Sequence, residues 1–419
     1  MKFSLPIKQR HFLKKIWIFF AIMGPGIITA NVDNDAGGIT TYSLCGANFG
    51  YSMLWSLIPI TFLLILVQEM CTRMGVVTGK GLAGLIREKF GVKITFYLIL
   101  GVLFSNFCVV LSEFSGIASS MELFGVNKFI SVSLAVIIVW SFVVKGSYKS
   151  VEKVFLTACV FYIAYLISGF MSKPQWGQVM KEFVSPSFQL ETSYLTMLVG
   201  VIGTTITPWM QFYLQASVVE KGIKLKDYAY SRLDTIIGSV MVNLVAFFII
   251  VTCATVLFKG VGLHPIQSAA DAAKALGPVA GDYAGFLFAF GLLNASLFAL
   301  TILPLSTVFV VCESFGWEIG LNKTFAEAPQ FYGLYTFLLL AGAGIILLPN
   351  VPFIKIMFFS QVVNGVVLPV VLVFLLLLIN DSKIMGEYKN SKLSNYIAWP
   401  LTIITIILSI LTIFTSFSG

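Results

Sequence analysis

Histidine is nearly missing from this 419-residue chain: there are two, His11 and His264. Neither lies in an apolar run, which excludes a histidine metal cluster or a histidine proton relay inside the protein. Charge is scarce too. Only 11% of residues are Asp, Glu, Lys or Arg, against 58% apolar; an ordinary soluble domain carries about 25% charged and about 45–50% apolar residues. So large an apolar surplus does not fit inside one globule, which excludes a soluble enzyme, a secreted disulfide scaffold and a disordered tail protein. The six cysteines (Cys45, Cys71, Cys108, Cys159, Cys253, Cys312) have no paired spacing and lie mostly in apolar runs, so they read as small buried hydrophobes. No cleavable signal is read, because the basic stretch Lys2–Lys15 leads into an apolar run too long for one. The net charge of +8 is expected to report cytoplasmic loops rather than nucleic-acid binding.

What is present is long apolar runs. A bilayer-crossing helix needs about 20 mostly apolar residues, and eleven segments qualify, near 16–45, 52–72, 94–122, 128–147, 151–172, 193–218, 235–258, 278–312, 332–349, 352–379 and 396–417. With the amino terminus cytoplasmic, all but six of the 27 Lys and Arg (Lys128, Lys173, Lys181, Lys259, Lys274, Lys355) fall inside. That bias supports an odd number of spans and an extracellular carboxyl terminus. Trp17, Trp55, Trp140, Trp176 and Trp317 lie near span ends, as an interfacial belt would. No loop is long enough to bury a core of its own. Residues 1–419 therefore read as one all-α polytopic membrane domain embedded in the bilayer.

Ionisable groups at membrane depth cost on the order of 2.5–3.5 kcal/mol on insertion scales, so each is a functional hypothesis. Glu69, Asp234 and Glu313 sit near span ends and are expected to snorkel to the cytoplasmic boundary. Asp33 and Asp35 do not. They lie mid-span in a segment that also holds Asn31, Asn34, Gly37 and Gly38, residues that favour local backbone bonding or backbone freedom over helix. The first span is therefore expected to unwind there, with one carboxylate facing a cavity and the other stabilising the break. A second break is expected five spans later, where Thr204, Thr205 and Thr207 precede Pro208. Interrupted spans at corresponding places in two halves point to an inverted repeat with its site at the midplane: repeat one about 16–172, repeat two about 193–379, and an added helix about 396–417.

Three segments carry a resemblance. Leu66 to Ala83 (with Gln68, Glu69, Arg73, Thr78, Gly79 and Lys80), Ser360 to Pro369 (with Gln361), and Phe49-Gly50-Tyr51 followed by Leu54-Trp55 are similar to the second-span exit, the tenth span and the first turn of NRAMP divalent-metal transporters. The resemblance implies the eleven-helix, five-plus-five inverted repeat of LeuT-like proteins, with broken first and sixth helices. The site motifs depart from the family. Its Asp-Pro-Gly-Asn falls on Asp35-Ala36-Gly37-Gly38, so the aspartate is kept and the asparagine lost. Its Met-Pro-His falls on Thr207-Pro208-Trp209, so a thioether becomes a hydroxyl. Family carbonyl ligands correspond to Val32 and Thr204, its tenth-span amide to Gln361, and a third-span acid to Glu113, whereas the aspartate expected three positions earlier is Val110.

The implied metal set is Asp35, Val32, Thr204, Thr207 and Gln361, lined by Asp33, Asn34 and Gly38. It offers oxygen only, which suits magnesium or manganese better than softer ions, and few protein ligands leave room for the water that magnesium keeps. This resembles the magnesium-transporting branch related to NRAMP proteins. The expected function is import of a hard divalent cation, magnesium first and manganese second, by alternating access, with weak or no proton coupling. No cofactor is expected, and the plasma membrane is inherited from the resemblance. Glu113 reads equally as a proton carrier and as a structural acid, and Trp209 as a cavity wall or as filler for the missing histidine. The rivals are a proton-coupled manganese or iron transporter and an amino-acid or other organic-solute transporter of the same fold. An intramembrane protease is disfavoured, since paired catalytic carboxylates belong on separate helices.

Overall fold

The computed structural model describes residues 24–145, 163–258, 266–277, 281–320 and 323–418. Residues 16–23 of the first expected span, residues 151–162 of the fifth, Cys159 and both histidines lie outside these. All regular structure among the described residues is helical. Among the described residues, nine helical stretches are long and apolar enough to cross a membrane. The interrupted first span, α1 (Pro25–Val32) and α2 (Ala36–Phe49), stands beside them, as does α6 (Ile163–Met171), the described end of the fifth.

Next come α3 (Leu57–Thr78), α4 (Leu82–Glu122) and α5 (Lys128–Lys145). After α6 the chain forms the short α7 (Trp176–Val184), then α8 (Thr192–Thr205) and α9 (Pro208–Glu220), the two halves of the sixth span. The second half continues with α10 (Tyr228–Leu257), the short α11 (Ala269–Ala273), α12 (Ala284–Phe315), α13 (Pro329–Ile346), α14 (Phe353–Ile379) and α15 (Lys392–Ser418). Helix α4 begins twelve residues before the expected third span. Gly91, with φ 80° and ψ 170°, turns the chain sharply between a first short segment and the spanning part. Only glycine takes that backbone cheaply.

Burial follows apolar pattern and position. Helices α4, α12 and α14 pack on one another, and α10 packs along α1, α2 and α3. The α8–α9 pair and α12 are almost wholly enclosed, whereas α5 and α15 are mostly uncovered. Phe129, Ile130, Ile137, Ile410 and Phe414 are exposed apolar side chains on these outer helices, as a lipid-facing surface requires. The five described cysteines are buried free thiols.

Two acids behave differently from expectation. Asp234 and Glu313 both turn inward to other helices; Asp234 is completely buried and Glu313 partly so. Each is held by backbone amides at the start of another helix: Asp234 by Gly24 and Gly26 at the head of α1, and Glu313 by Ala83 and Gly84 at the head of α4. A carboxylate that satisfies the orphan N–H groups of a helix start is stabilised by those bonds and by the helix dipole, which gives each acid a partner inside the bundle. Glu69 is half-buried, paired with Arg73 at 3.2 Å and accepting from the Tyr228 hydroxyl.

Candidate functional site

Both expected breaks are present. Helix α1 stops at Val32, and Asp33, Asn34 and Asp35 are unwound before α2 begins. Asp35 is the N-cap of α2, with φ −72° and ψ −174°, and its Oδ1 accepts from Gly38 N at 2.6 Å. Helix α8 stops at Thr205. Ile206 (φ −130°, ψ 71°) and Thr207 (φ −72°, ψ 144°) then lead into α9, whose first residue, Pro208, has no N–H to leave unbonded.

The breaks meet. A Cβ built on Gly38 would lie 2.6 Å from Asp33 O, 3.1 Å from Thr204 Oγ1 and 3.4 Å from Asp35 Oδ1. Three oxygens from two spans thus converge beside a residue that has no side chain. On the next residue, Gly37, a Cβ would lie 1.9 Å from Gln361 Nε2, so the amide of α14 lies directly over the start of α2. Gly203 of α8 and Gly365 of α14 pack backbone to backbone just behind, where neither tolerates a Cβ. The site is therefore drawn together by four helices, and glycine permits each close approach.

Burial is complete. Val32, Asp33, Asn34, Asp35, Glu113, Thr204, Thr207, Trp209 and Gln361 are all at most 1% exposed. Buried polar groups are normally hydrogen-bonded, and an unmet one costs about 1–3 kcal/mol. Here several are unmet. Asp33 and Thr207 face each other across the breaks. Yet neither Asp33 oxygen, nor Thr207 Oγ1, nor Thr204 Oγ1 makes a well-formed hydrogen bond to any described residue. Helix α1 and helix α8 also end here, and the last carbonyls of a helix lack intrahelical donors. Two helix C-termini, a carboxyl group and unbonded hydroxyls are thus buried together at the breaks, a setting that favours positive charge.

Glu113 of α4 is fully buried; its Oε2 accepts from Ala36 N at 3.2 Å, and its carboxyl abuts that of Asp35. Gln361 is present, but its Oε1 accepts from Asn364 Nδ2 at 2.9 Å, so its nitrogen is the atom turned toward the break. Trp209 packs 6.1 Å from the Tyr213 ring, and its carbonyl accepts from Ser306 Oγ at 3.1 Å. Val110, where the family carries an aspartate, packs against Gly342 of α13. Among the described residues, no three His, Cys, Asp or Glu side chains form a metal-binding group. Any cation here must be held partly by main-chain, hydroxyl or amide oxygen.

Sequence reasoning missed a second layer of polar groups. The Tyr42 hydroxyl bonds Thr205 Oγ1 at 2.8 Å, tying α2 to α8 across the breaks. Ser105 donates to Asn364 Oδ1 at 2.5 Å, and Asn106 Nδ2 to Thr307 Oγ1 at 2.9 Å. Lone amides in apolar runs, such as Asn106 and Asn364, were the available signal. A search confined to ionisable residues passes over them.

Comparison with known proteins bears on the fold and the family. The Eremococcus coleocola manganese transporter, in a crystal structure with an aromatic bis-isothiourea compound, superimposes with a TM-score of 0.79 at 21% identity, over 94% of this chain and 86% of that one. Mhp1, a nucleobase-cation-symport-1 family transporter in a closed conformation with bromovinylhydantoin bound, gives 0.57 at 13% identity over 93% and 92%. MhsT in complex with L-phenylalanine gives 0.55 at 15% identity over 93% and 97%. These likenesses establish a LeuT-like fold. The family model described as natural resistance-associated macrophage protein-like matches residues 26–415. Since that match begins inside α1, runs through both breaks and ends in the last helix, this multi-pass membrane protein belongs to the Nramp family.

Proposed function

We propose that the chain is a transporter, not an enzyme, and that it carries a hard divalent cation, magnesium first and manganese second, across the plasma membrane by alternating access. One observation carries the reading: oxygen atoms of both broken spans converge beside Gly38 in a closed interior, and Thr204 Oγ1 among them, like the Asp33 carboxyl and Thr207 Oγ1 of the same breaks, makes no hydrogen bond to a described residue. A divalent ion is the ligand that lone pairs, a carboxylate and two helix C-termini would jointly stabilise. In this reading Asp35, Thr207, Gln361 and the carbonyls of Val32 and Thr204 are ligands, with Asp33, Asn34 and Gly38 lining the site. Gln361 must turn its amide to present oxygen. No sulphur donor is assigned, which favours hard ions; the Eremococcus relative, which bears the name of a manganese transporter, supports a divalent metal in general.

The repeats proposed are about 16–172 and 193–379, with 396–417 an addition, the amino terminus cytoplasmic and the carboxyl terminus outside. Weak or absent proton coupling follows from the missing histidines and from Val110. A divalent ion gains about 4.6 kcal/mol per 100 mV on crossing to a negative interior, enough to drive uptake alone. Glu113 against Asp35 is the observation that favours proton coupling instead.

The test is uptake into proteoliposomes of magnesium, manganese, calcium and iron under an imposed inside-negative potential, with an internal pH dye. Magnesium and manganese should enter without matching acidification. Stoichiometric proton entry would reject the uncoupled mechanism, and uptake confined to iron would reject the hard-ion site.

A further inference from the structure

The site is closed on every side, so release requires a helix to move. The structure assigns that movement to α1, and we infer that Asp234 of α10 is the latch that holds it shut. Three observations carry this. First, α1 has eight residues, ends at the unwound stretch 33–35 and, among the described residues, packs chiefly on α10, with smaller contacts to α9 and α12. Its sister α2 is gripped by α4, α8, α10, α12 and α14. A helix this short has little stability of its own and pivots as a unit on the unwound residues behind it.

Second, among the described residues one side chain holds the start of α1. Gly26 N donates to Asp234 Oδ2 at 2.7 Å and Gly24 N to Oδ1 at 3.2 Å, across more than 200 residues of sequence; the Ile27 amide is turned to the same carboxylate. Pro25 between them has no N–H. Amides in the first turn lack intrahelical acceptors, so this carboxylate is what satisfies them, and burial strengthens each bond.

Third, the α1–α10 seam is built to close tightly. A Cβ on Gly26 would lie 2.6 Å from the Thr235 backbone, and one on Gly238 would lie 2.7 Å from Gly26 O. Thr235 is in turn bonded to Thr72 of α3 at 2.9 Å. The seam thus seats α1 against a braced surface, and losing the carboxylate or adding one methyl opposes that seating. Asp234 acts through α1 and is a positioning residue for the site at the other end of that helix. The latch goes beyond the transport reading and rests on it only for its purpose.

Hydrogen–deuterium exchange of the full-length protein in detergent, without added ion, tests it. In Asp234→Asn, amides of residues 26–32 should exchange about tenfold faster or more, the factor expected for one lost charge-assisted hydrogen bond. Residues 36–49 should stay as in the wild type. Glu313→Gln, which loosens a cap elsewhere, should leave 26–32 unchanged. Wild-type exchange in Asp234→Asn, or an equal rise in both segments, overturns the latch. Should that variant not fold, Gly238→Ala is judged by the same two segments. Because exchange is read without transport, failure of the uptake assay leaves this result standing, and the reverse holds as well.

Discussion

The two interruptions that make the site are built from different materials. The first is polar and charged: Asp33 and Asp35 flank Asn34, and one acid is spent capping the helix that follows. The second has no charge. A proline ends the helical bonding, and threonine hydroxyls surround it. The difference teaches a division of labour. A proline break holds its shape without ligands, because its φ is fixed and its missing N–H needs no partner. An aspartate break must find donors for its acids, and Asp35 finds the Gly38 amide while Asp33 finds none. In the proposed function the first break therefore supplies the charge that attracts a cation. In that same proposal the second supplies the surface against which ions are told apart.

The sharpest way to break this contrast is to remove one polar group from each side. Asp33→Ala or Asp35→Ala should lower divalent-ion uptake into proteoliposomes by about 100-fold, as loss of a buried charged partner does. Thr207→Ala should cost about tenfold, the scale of one neutral hydrogen-bonding group. Asp35→Asn separates charge from capping, since asparagine caps a helix as well as aspartate. It should transport as poorly as the alanine variant while keeping the wild-type thermal midpoint. Equal losses from Thr207→Ala and Asp33→Ala would erase the division.

A smaller effect, on preference rather than rate, comes from Thr207→Met. A thioether beside oxygen ligands favours manganese over magnesium. The manganese-to-magnesium uptake ratio should rise by about an order of magnitude, or ~1.4 kcal/mol of differential binding. The unbonded Thr207 Oγ1 marks where that sulphur would begin. An unchanged ratio would remove Thr207 from the ligand set. The reverse change at the first break, returning asparagine to position 38, meets a steric obstacle, since even its Cβ would lie 2.6 Å from Asp33 O.

Much of this was legible because the signals were expensive. Carboxylates at membrane depth, paired glycines and a mid-span proline each violate the rule for a spanning helix, so both breaks could be placed to within a few residues. The roles of individual acids were less legible. Nothing in the spacing of Asp234 or Glu313 says that a helix start from a distant part of the chain will come to meet it, and snorkelling is the sensible default for an acid near a span end. Helix caps supplied across the fold are long-range contacts, invisible to a reading that proceeds along the chain. Gly37 shows the same limit: it reads as a helix breaker, yet it lies within helix α2, where its lack of a side chain admits the Gln361 amide.

The smallest expected effect concerns the bond that ties the two broken spans together. The Thr205 hydroxyl donates to Val201 O at 2.7 Å. Its single proton is thereby used, and in the 2.8 Å contact with Tyr42 the tyrosine must be the donor. The two ends of this bond are then unequal. Tyr42→Phe removes the donor and leaves Thr205 with its bond to Val201, which should cost about 1 kcal/mol of stability. Thr205→Val strands a fully buried Tyr42 hydroxyl, which should cost more, about 1–3 kcal/mol, and so lower the thermal midpoint further in the same detergent. Ion preference should not move in either variant, because this bond braces the breaks without reaching the ion. A lower midpoint in Tyr42→Phe than in Thr205→Val would reverse the donor assignment, and a changed ion preference would place the pair inside the site instead of behind it.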